Sequence, residues 1–284
     1  MNKKIKADLH VHSHFSDGSD NPQELIENLK NSGVTIFALT DHDTIDGCKE
    51  IEKHLLKDIK FIPSVELTCE YEDTRCHVLG LNCDINNNDL TELIKKGRIL
   101  RKKKLETRIE FLKAKWDIIL TQEEKDWLYS RNSVVKTHVA NILVNRGLSD
   151  NNVDAMKKYL KGCKTPNSKF DCREAISAIV SAGGIPIWAH PLGGEGEIHI
   201  NQETFIERFK QMKEYGIKGL ECYYSRYNKD EIEFLTNFAK ENDMLISGGS
   251  DYHGTNKDIN LYTLNVDKSY VEIDNLTVLK DIIK

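Results

Sequence analysis

The sequence predicts an α/β fold, most simply a closed or nearly closed barrel of parallel strands surrounded by helices. Three observations support this prediction. Seven short apolar runs are bounded by turn-forming residues, as is typical of buried strands. Amphipathic helix patterns fall between most of these runs. From about residue 88 to residue 164 helix patterns continue without any strand pattern, which predicts a helical insertion.

The predicted elements follow one another along the whole chain. The strand runs are IKADL (5–9), TIFALT (35–40), KFIPSV (60–65), HVLGL (77–81), GIPIWA (184–189), IKGLEC (217–222) and MLISGG (244–249). The clearest helix patterns are NPQELIENLKNSG (21–33), CREAISAIVSAGG (172–184), ETFIERFKQMKEYG (203–216) and KDEIEFLTNFAKEN (229–242). The first of these helices has Pro22 just inside its predicted start and Gly33 at its predicted end.

Composition excludes several classes of protein. The formal net charge of −5 favours no particular partner, so only a local charge cluster could indicate one. No segment approaches 18 uninterrupted apolar residues, which argues against a membrane span, and the N-terminus lacks the apolar region of a secretion signal. The seven cysteines form no CxxC pair, which predicts reduced thiols and a cytoplasmic location. Cys69, Cys76 and Cys83 recur every seven residues, but their apolar surroundings predict small buried side chains rather than metal ligands.

Polar residues of the metal-binding type collect at the edges of the predicted strands. Six of the ten histidines lie there, accompanied by three carboxylates: His10, His12, Asp17, His42, Glu66, His77, His190, Asp251 and His253. Most follow a carboxyl end, where barrels carry their chemistry, whereas His77 stands at the start of its run. Mixed imidazole and carboxylate ligands suit Mn, Fe or Zn better than Mg or Ca. Nine ligands exceed the needs of one ion, which predicts two or three divalent ions, a standard device for hydrolysing phosphate esters.

Six motifs, in this order, resemble those of the PHP (polymerase and histidinol phosphatase) family. They are ADLHVHSHFSDGSDNPQEL, FALTDHDTIDG, SVELT, CHVLGL, AGGIPIWAHP and SGGSDYHG. The resemblance implies a distorted (β/α)7 TIM-like barrel with a trinuclear metal centre, manganese being the preferred ion, at its mouth. The expected organisation is a first barrel part over residues 1–87, a helical insertion over the active site at 88–165, and a second barrel part over 166–284.

The resemblance also implies which ligands share an ion. One ion is expected on His10, His12, Glu66 and Asp251, a second on Glu66, His77 and His190, and a third on Asp17, His42 and His253. Glu66 then bridges two ions, which suits a carboxylate, and helps to hold the metal-bridging hydroxide that attacks phosphorus. Asp8, Asp41 and Asp43 are expected to orient imidazoles rather than to bind metal. His14, His54 and His199 are interpreted as surface or hydrogen-bonding residues.

The insertion narrows the expected activity within the family. It contains a run with ten basic and two acidic residues (95–115), followed by VKTHVANILVNRG (135–147). This arrangement resembles the RNase AM-like bacterial subgroup, which dephosphorylates nucleoside 3′,5′-bisphosphates and trims short RNAs from the 5′ end. Arg101, Lys136 and His138 are the expected phosphate-binding residues. Two departures weaken this assignment: Lys136 replaces a usual arginine, and Leu192-Gly193-Gly194 replaces a usual Gly-Arg.

Several alternatives stay open at this stage. The general acid is left undecided between His138, His199 and a metal-bound water. Histidinol-phosphate phosphatase uses the same centre on the same barrel and is the alternative activity. A non-catalytic PHP module that binds nucleic acid is the alternative of another class, against which stand the nine ligands. The expected partner is a phosphorylated small molecule or a short oligoribonucleotide, and no stable protein partner is inferred.

Overall fold

The computed structural model describes residues 4–72, 74–195 and 197–283, and within them the chain forms a mixed α/β fold. Its strands are β1 Ala7–Val11, β2 Ile36–Leu39, β3 Lys60–Pro63, β4 Val65–Tyr71, β5 Thr74–Leu81, β6 Phe170–Asp171, β7 Ile185–Trp188, β8 Gly219–Tyr224 and β9 Leu245–Gly249. Its α-helices are α1 Pro22–Ser32, α2 Asp46–Ile51, α3 Asn88–Trp116, α4 Gln122–Ser130, α5 Lys136–Asn145, α6 Asn152–Tyr159, α7 Cys172–Ser181, α8 Gln202–Tyr215, α9 Lys229–Glu241 and α10 Leu279–Ile282. None of these helices combines the length and the apolar character that a membrane crossing requires.

The strands form two sheets. Strands β1, β2 and β3 pair in parallel, and a six-stranded sheet has the order β6-β4-β5-β7-β8-β9. The prediction that the strands are all parallel is wrong at β5, which is antiparallel to both β4 and β7. The reason is the connection between β4 and β5, which has only two residues, whereas parallel neighbours need a long crossover. The predicted single run 60–65 also divides at Ser64, because β3 pairs with β2 while β4 pairs with β5.

The reversed direction of β5 explains the position of His77. Most of the other predicted ligands lie at or after the end of a strand, although Glu66 is the second residue of β4. His77 lies near the beginning of β5 and pairs across the ladder with Thr68 of β4. An antiparallel strand begins at the edge where its parallel neighbours end. His77 therefore reaches the same rim as the other ligands, although it stands on the opposite side of its apolar run.

The edges of the two sheets meet at this rim through backbone hydrogen bonds. The Asp251 N–H donates to the His10 carbonyl and the His12 N–H donates to the Tyr252 carbonyl, each at 2.9 Å. On the other side, the Asp43 N–H donates to the Glu66 carbonyl, also at 2.9 Å. These bonds hold β1 and the segments after β2 and β9 beside the start of β4.

Strands buried on both faces explain the nearly continuous apolar runs in the sequence. In β2, Ile36 and Ala38 belong to one apolar cluster while Phe37 and Leu39 belong to another. The first cluster also contains Leu9, Leu79 and Ile187 from other strands. The second packs against helices such as α1, because successive side chains of a strand point to opposite faces.

The helices begin and end where their sequences predict. At α1, the Asn21 side chain accepts from the Glu24 N–H, the Glu24 carboxylate accepts from the Asn21 N–H, and Pro22 occupies the first turn. Gly33 ends the helix in the left-handed conformation with φ 72°. A cap of this kind contributes about 1 kcal/mol.

The residues between β5 and β6 are helical, as the sequence predicts. The long helix α3 begins among the core of the α/β fold, where Leu90 and Ile94 join the largest apolar cluster. Its later residues Leu105 and Leu112 belong to a separate cluster that includes side chains of α4, α5 and α6. Helix α3 therefore connects two apolar cores within one continuous element.

Candidate metal centre

The nine predicted ligands converge on one rim of the fold. Four groups have ligand atoms within 4.8 Å of one another: His12, Asp17, His42 and His253; His10, His12 and Glu66; His42, Glu66 and His77; and His77, His190 and Glu197. Asp251 joins them, because its Oδ1 lies 3.5 Å from His10 Nε2 and 3.4 Å from His12 Nε2. Glu197 is the one member that sequence reasoning missed.

Glu66 occupies the middle of the cluster. This carboxylate is 1% exposed and contacts five imidazoles. Its Oε2 lies 3.2 Å from His10 Nε2, 3.1 Å from His12 Nε2 and 3.2 Å from His42 Nδ1, while its Oε1 lies 2.8 Å from His77 Nδ1 and 3.4 Å from His190 Nε2. The two oxygens thus face two different sets of rings, which is the geometry that a bridging carboxylate requires.

The remaining two carboxylates lie on either side of His253. Asp17 Oδ1 is 3.1 Å from His253 Nε2, and Asp17 Oδ2 is 3.8 Å from His42 Nε2. Asp251 turns its Oδ1 toward the histidines, whereas its Oδ2 accepts from the Tyr224 hydroxyl at 3.0 Å and from Lys257 Nζ at 2.7 Å. Tyr224 and Lys257 therefore fix which oxygen of Asp251 faces the centre.

Hydrogen bonds on the outer ring nitrogens orient several of the histidines. His10 Nδ1 lies 2.9 Å from Glu221 Oε1, which leaves Nε2 facing the centre. His253 Nδ1 lies 2.8 Å from the Asp251 carbonyl. His190 Nδ1 lies 3.3 Å from Glu197 Oε2, an ion-pair distance without hydrogen-bond geometry. Carboxylates and carbonyls placed in this way fix the tautomer of a metal-binding imidazole and raise its basicity.

Glu221 and Glu197 were both missed from the sequence, for different reasons. Glu221 lies inside the apolar run of β8, is fully buried, and also accepts from the His190 N–H at 2.8 Å. A lone glutamate within a buried strand was the available signal, since such a charge needs a partner. Glu197 lies in the loop after β7, where no local pattern distinguishes it from other loop residues.

The backbone near His190 is strained and closely packed. His190 and Asp251 have positive φ angles, 30° and 59°, which non-glycine residues rarely adopt outside functional sites. A Cβ on Gly194 would lie 2.7 Å from His190 Nδ1, so only glycine fits there. Gly194 thus brings the backbone against a candidate ligand, and its N–H donates to Glu197 at 3.0 Å.

The carboxylates of the cluster are ionised in spite of their burial. Burial alone would raise the pKa of the Glu66 carboxyl, but His42, His10 and His77 hold it well below its usual range. Burial would also raise the pKa values of Asp17 and Asp251, but nearby cations hold both well below normal. The largest of these opposing effects comes from His253 for Asp17 and from Lys257 for Asp251. The pKa of His12 rises to about 9, because these carboxylates outweigh the effect of its burial.

The cluster fits a set of divalent ions. Several buried atoms that face its centre have no hydrogen-bond partner among the described residues: His12 Nε2, Asp17 Oδ1, His42 Nδ1, Glu66 Oε1 and His253 Nε2. Buried polar atoms are normally paired, so an unpaired group of this size indicates a missing ligand. Imidazole nitrogens with ionised carboxylates are the donors that Mn, Fe and Zn accept.

None of the three predicted orienting aspartates forms a hydrogen bond with a ring nitrogen of the cluster among the described residues. Asp41 is linked to one through Ser16, whose hydroxyl lies 3.5 Å from His12 Nδ1. Asp8 accepts from the Ser250 N–H and hydroxyl, at 2.9 and 2.6 Å. Asp41 accepts from the Ser13 and Ser16 hydroxyls, both at 2.6 Å. These aspartates hold the segments that carry ligands, whereas the carboxylates that contact outer ring nitrogens are Glu221 and Glu197.

Asp43, the third, forms a buried ion pair with Arg101. Its Oδ2 accepts from Arg101 Nε at 2.8 Å, and its Oδ1 accepts from the Thr68 N–H at 2.7 Å. The Arg101 guanidinium also donates to the Thr68 hydroxyl at 3.2 Å. Arg101 is thus within reach of the rim but already neutralised by a carboxylate.

Further basic residues of α3 and α5 lie near Arg101 without such a partner. Arg108 is 8% exposed and forms no ion pair with any described carboxylate. Burial and the neighbouring Arg101 lower its pKa to about 10. Burial also lowers the pKa of Lys104 to about 8 and that of Lys136 below normal, with Arg108 the next cause for both. Such mutual repulsion among cations is relieved when an anion binds between them.

His138 is buried near the start of α5. Its Nδ1 accepts from the Val135 N–H at 3.1 Å, and burial lowers its pKa from 6.5 to about 4. Between these pH values the unfolded chain binds a proton that the folded chain does not, so stability falls as the pH drops from about 6.5 to 4. The neutral ring thereby contributes about 3 kcal/mol of pH-dependent stability that is fully present above pH 6.5.

The other predicted surface histidines lie outside the cluster. His14 Nδ1 is 3.3 Å from the Asp20 carbonyl, and His54 pairs with Glu50 on an exposed surface. His199 Nε2 lies 2.8 Å from Glu231 Oε1 of α9. Cys69, Cys76 and Cys83 are buried, as predicted, at 0%, 6% and 4% exposure.

Comparison with known proteins identifies the family. Residues 8–168, more than half of the chain, match the PHP domain. The chain belongs to the PHP domain family. Three curated relatives extend the similarity over most of the sequence. A 5′-3′ exoribonuclease of Haemophilus influenzae is 34% identical over 253 residues, 87% of this chain and 90% of the relative.

Two more distant relatives are matched at similar coverage. The 5′-3′ exoribonuclease Rnm of Escherichia coli is 27% identical over 89% of this chain and 86% of the relative. A 3′,5′-nucleoside bisphosphate phosphatase of Chromobacterium violaceum is 27% identical over 87% of this chain and 86% of the relative.

Solved structures share the fold of this PHP-domain chain. A protein of Bifidobacterium adolescentis has a TM-score of 0.81 at 24% identity, covering 96% of both chains. An amidohydrolase from Chromobacterium violaceum, solved with bound sulfate and no metal, has a TM-score of 0.78 at 25% identity, covering 90% of both chains.

Proposed function

We propose that this PHP-family phosphoesterase removes the 3′-phosphate of nucleoside 3′,5′-bisphosphates and trims short 5′-phosphorylated RNA in the 5′-to-3′ direction. The observation that carries the proposal is the convergence of nine metal-type ligands on a rim flanked by unpaired basic residues. The relatives named for these two activities match most of the chain and favour this choice over histidinol phosphate.

Two or three divalent ions would occupy the rim, manganese being the best suited. We assign His10, His12, Glu66 and Asp251 to one ion; Glu66, His77 and His190 to a second; and Asp17, His42 and His253 to a third. The groups of neighbouring ligand atoms support this assignment, with His12 between the first and third sets. Such ions, when bound, lower the pKa of water and neutralise charge on phosphoryl oxygens.

The protein's own residues hold and order this arrangement. Glu66 presents one oxygen to each of two ring sets. Glu221 keeps the proton of His10 on Nδ1, and Lys257 holds Asp251 Oδ2 away from the centre. Because each group is locked by a partner before substrate arrives, little reorganisation is needed during the reaction.

The basic residues of the helical segment would bind phosphate. Lys136 and Arg108 are our first candidates, since their charges repel each other and neither forms an ion pair with a described carboxylate. Arg101 would contribute through its position at the rim beside Asp43. The neutral ring of His138 would donate from Nε2, because its Nδ1 already accepts from the backbone.

This function fits a particular organisation of the fold. We propose that the two sheets form a distorted (β/α)7 TIM-like barrel, with residues 1–87 and 166–284 as its parts and residues 88–165 as a helical insertion over the active site. The backbone bonds between the sheet edges support this organisation. The seven free cysteines fit a cytoplasmic location.

A phosphate-release assay tests the proposal. Purified protein with added Mn²⁺ would be compared on adenosine 3′,5′-bisphosphate, a 5′-phosphorylated short RNA and histidinol phosphate. We expect preference for the bisphosphate or the RNA. Glu66→Ala should abolish release, whereas Glu70→Ala on the same strand, which removes an ion pair with Lys169, should not. Preference for histidinol phosphate, or no release at all, would contradict the proposal.

A further inference from the structure

A cavity lies directly beside the candidate metal centre. Its volume is about 410 Å³, and His77 and His190 form part of its wall. The rest of the wall comes from the ends of β4, β5 and β7, the loop that follows β7, and helix α8. None of the described lining residues belongs to α3, α4, α5 or α6, so this cavity is separate from the basic residues of the helical segment.

The cavity carries two arginines, Arg75 from β5 and Arg208 from α8. Arg208 forms no ion pair or hydrogen bond with any residue in the described ranges. Tyr71, which is 8% exposed, also lines the cavity, and its hydroxyl has no hydrogen-bond partner among the described residues. The Arg208 guanidinium and the buried Tyr71 hydroxyl are therefore hydrogen-bond donors at one cavity that have no acceptor among the described residues.

The single acidic residue described in this wall, Glu197, is already neutralised. Its carboxylate lies 3.3 Å from His190 Nδ1, accepts from the Gly194 N–H at 3.0 Å, and lies 3.8 Å from Arg75 Nε. Arg75 in turn donates to His77 Nε2 at 2.8 Å. The charge available to a ligand is therefore positive and centred on Arg208.

The positive field of the cavity continues toward the helical segment. Arg75 is the last of the cations that lower the pKa of Lys104 of α3, after burial, Arg108, Arg101 and Lys169. The positive charge of Arg75 therefore acts on a basic residue of the helical segment as well as on the cavity. Cations at the cavity, in addition to those of the helical segment, suit a substrate with several phosphates better than a single phosphate.

We propose that the cavity of Arg75, Arg208 and Tyr71 binds a backbone phosphate of a short oligoribonucleotide, next to the phosphate held at the metal centre. This inference rests on the proposed function and assigns a separate binding site to the oligoribonucleotide substrate. Arg208 supplies the charge, and the Tyr71 hydroxyl donates a hydrogen bond to a phosphate oxygen. Cleavage of longer substrates would then gain affinity that a mononucleotide cannot obtain.

Binding measured without turnover tests this inference. A fluorescein-labelled, 5′-phosphorylated RNA pentamer would be titrated with protein in EDTA, following fluorescence anisotropy at several salt concentrations. Adenosine 3′,5′-bisphosphate would be measured by competition. We expect Arg208→Ala to lower the affinity for the pentamer relative to the bisphosphate about tenfold, and to reduce the salt dependence by about 0.7 of a unit in log–log slope. Tyr71→Phe, which removes only the hydroxyl, should lower the same ratio about threefold.

Lys210→Ala provides the matched control, because it removes one positive charge from the exposed side of the same helix, outside the cavity. The inference is overturned if Arg208→Ala and Lys210→Ala bind the pentamer alike, or if Arg208→Ala weakens both ligands equally. Failure of the proposed function looks different: the wild-type protein would release no phosphate with Mn²⁺ while still binding the pentamer through Arg208.

Discussion

Replacing Glu221 by glutamine tests how the candidate metal centre is held together. Glu221 Oε1 is 2.9 Å from His10 Nδ1, and Oε2 accepts from the His190 N–H at 2.8 Å. A glutamine has only one oxygen to offer. The backbone N–H of His190 cannot become an acceptor, so the new oxygen must turn to it and the new amide NH₂ must face His10.

An amide donor opposite His10 Nδ1 changes the tautomer of this histidine. The ring proton moves to Nε2, the atom that lies 3.2 Å from Glu66 Oε2 and faces the centre. A protonated nitrogen cannot bind metal. Loss of a charge-assisted hydrogen bond costs about 1.5–3 kcal/mol, which corresponds to about a 10- to 150-fold weaker interaction. Replacing a group that orients a metal-binding histidine typically lowers metal affinity or activity 10- to 100-fold, which is about the same range.

The assay is a Mn²⁺ titration by calorimetry, supported by metal analysis and phosphate release. We expect Glu221→Gln to bind Mn²⁺ about 10- to 100-fold more weakly and to lose activity in parallel. Glu174→Gln makes the same chemical change in an exposed pair with Lys96 and should leave both quantities unchanged. Wild-type Mn²⁺ affinity in Glu221→Gln, with the fold intact, would refute the tautomer argument.

Three further predictions concern the helical segment and the metal. Arg101→Gln should lower the free energy of unfolding by about 3–5 kcal/mol, because Asp43 stays buried without its cation. Adding Asp43→Asn to this variant should restore most of the lost free energy of unfolding, measured by urea denaturation. If the losses from the two substitutions simply added, the pairing of Arg101 with Asp43 would be contradicted. His138→Gln should flatten the fall in stability between about pH 6.5 and 4; a curve parallel to that of the wild type would show that burial does not depress this pKa. A chelator should lower the Tm, because the ionised carboxylates around Glu66 lose their cations, and added Mn²⁺ should restore it. A Tm that does not change with the chelator would argue against bound ions.

Local pattern sufficed for much of the fold but not for its strand directions. Apolar runs and capping residues such as Asn21 and Gly33 are readable because they depend on neighbours in sequence. The direction of β5 follows from its short connection to β4, and the two residues of that connection, Glu72 and Asp73, include no glycine that would have signalled it. A parallel β5 would have placed His77 at the edge of the sheet opposite the other ligands. Because β5 is antiparallel to its neighbours, His77 lies at the same edge as they do.

In the candidate site, too, the residues in local motifs could be predicted, whereas those defined by long-range contacts could not. The predicted ligands occur in short motifs that place several metal-type residues together, so His10, His12 and Asp17 stand out. Glu221 and Glu197 act through contacts with histidines far away in sequence, His10 and His190. Long-range partners of this kind leave no spacing pattern, and only the assembled structure reveals them.

The buried bond between Arg101 and Asp43 has a consequence for exchanging parts between related enzymes. Helix α3 carries Arg98 and Arg101 into the segment 43–46, where they pair with Asp46 and Asp43. A chimaera that received foreign helices in place of residues 88–165 would inherit these aspartates without their arginines. The helices and the short loop after β2 should therefore be exchanged together in any chimaera, although more than forty residues separate them in the chain.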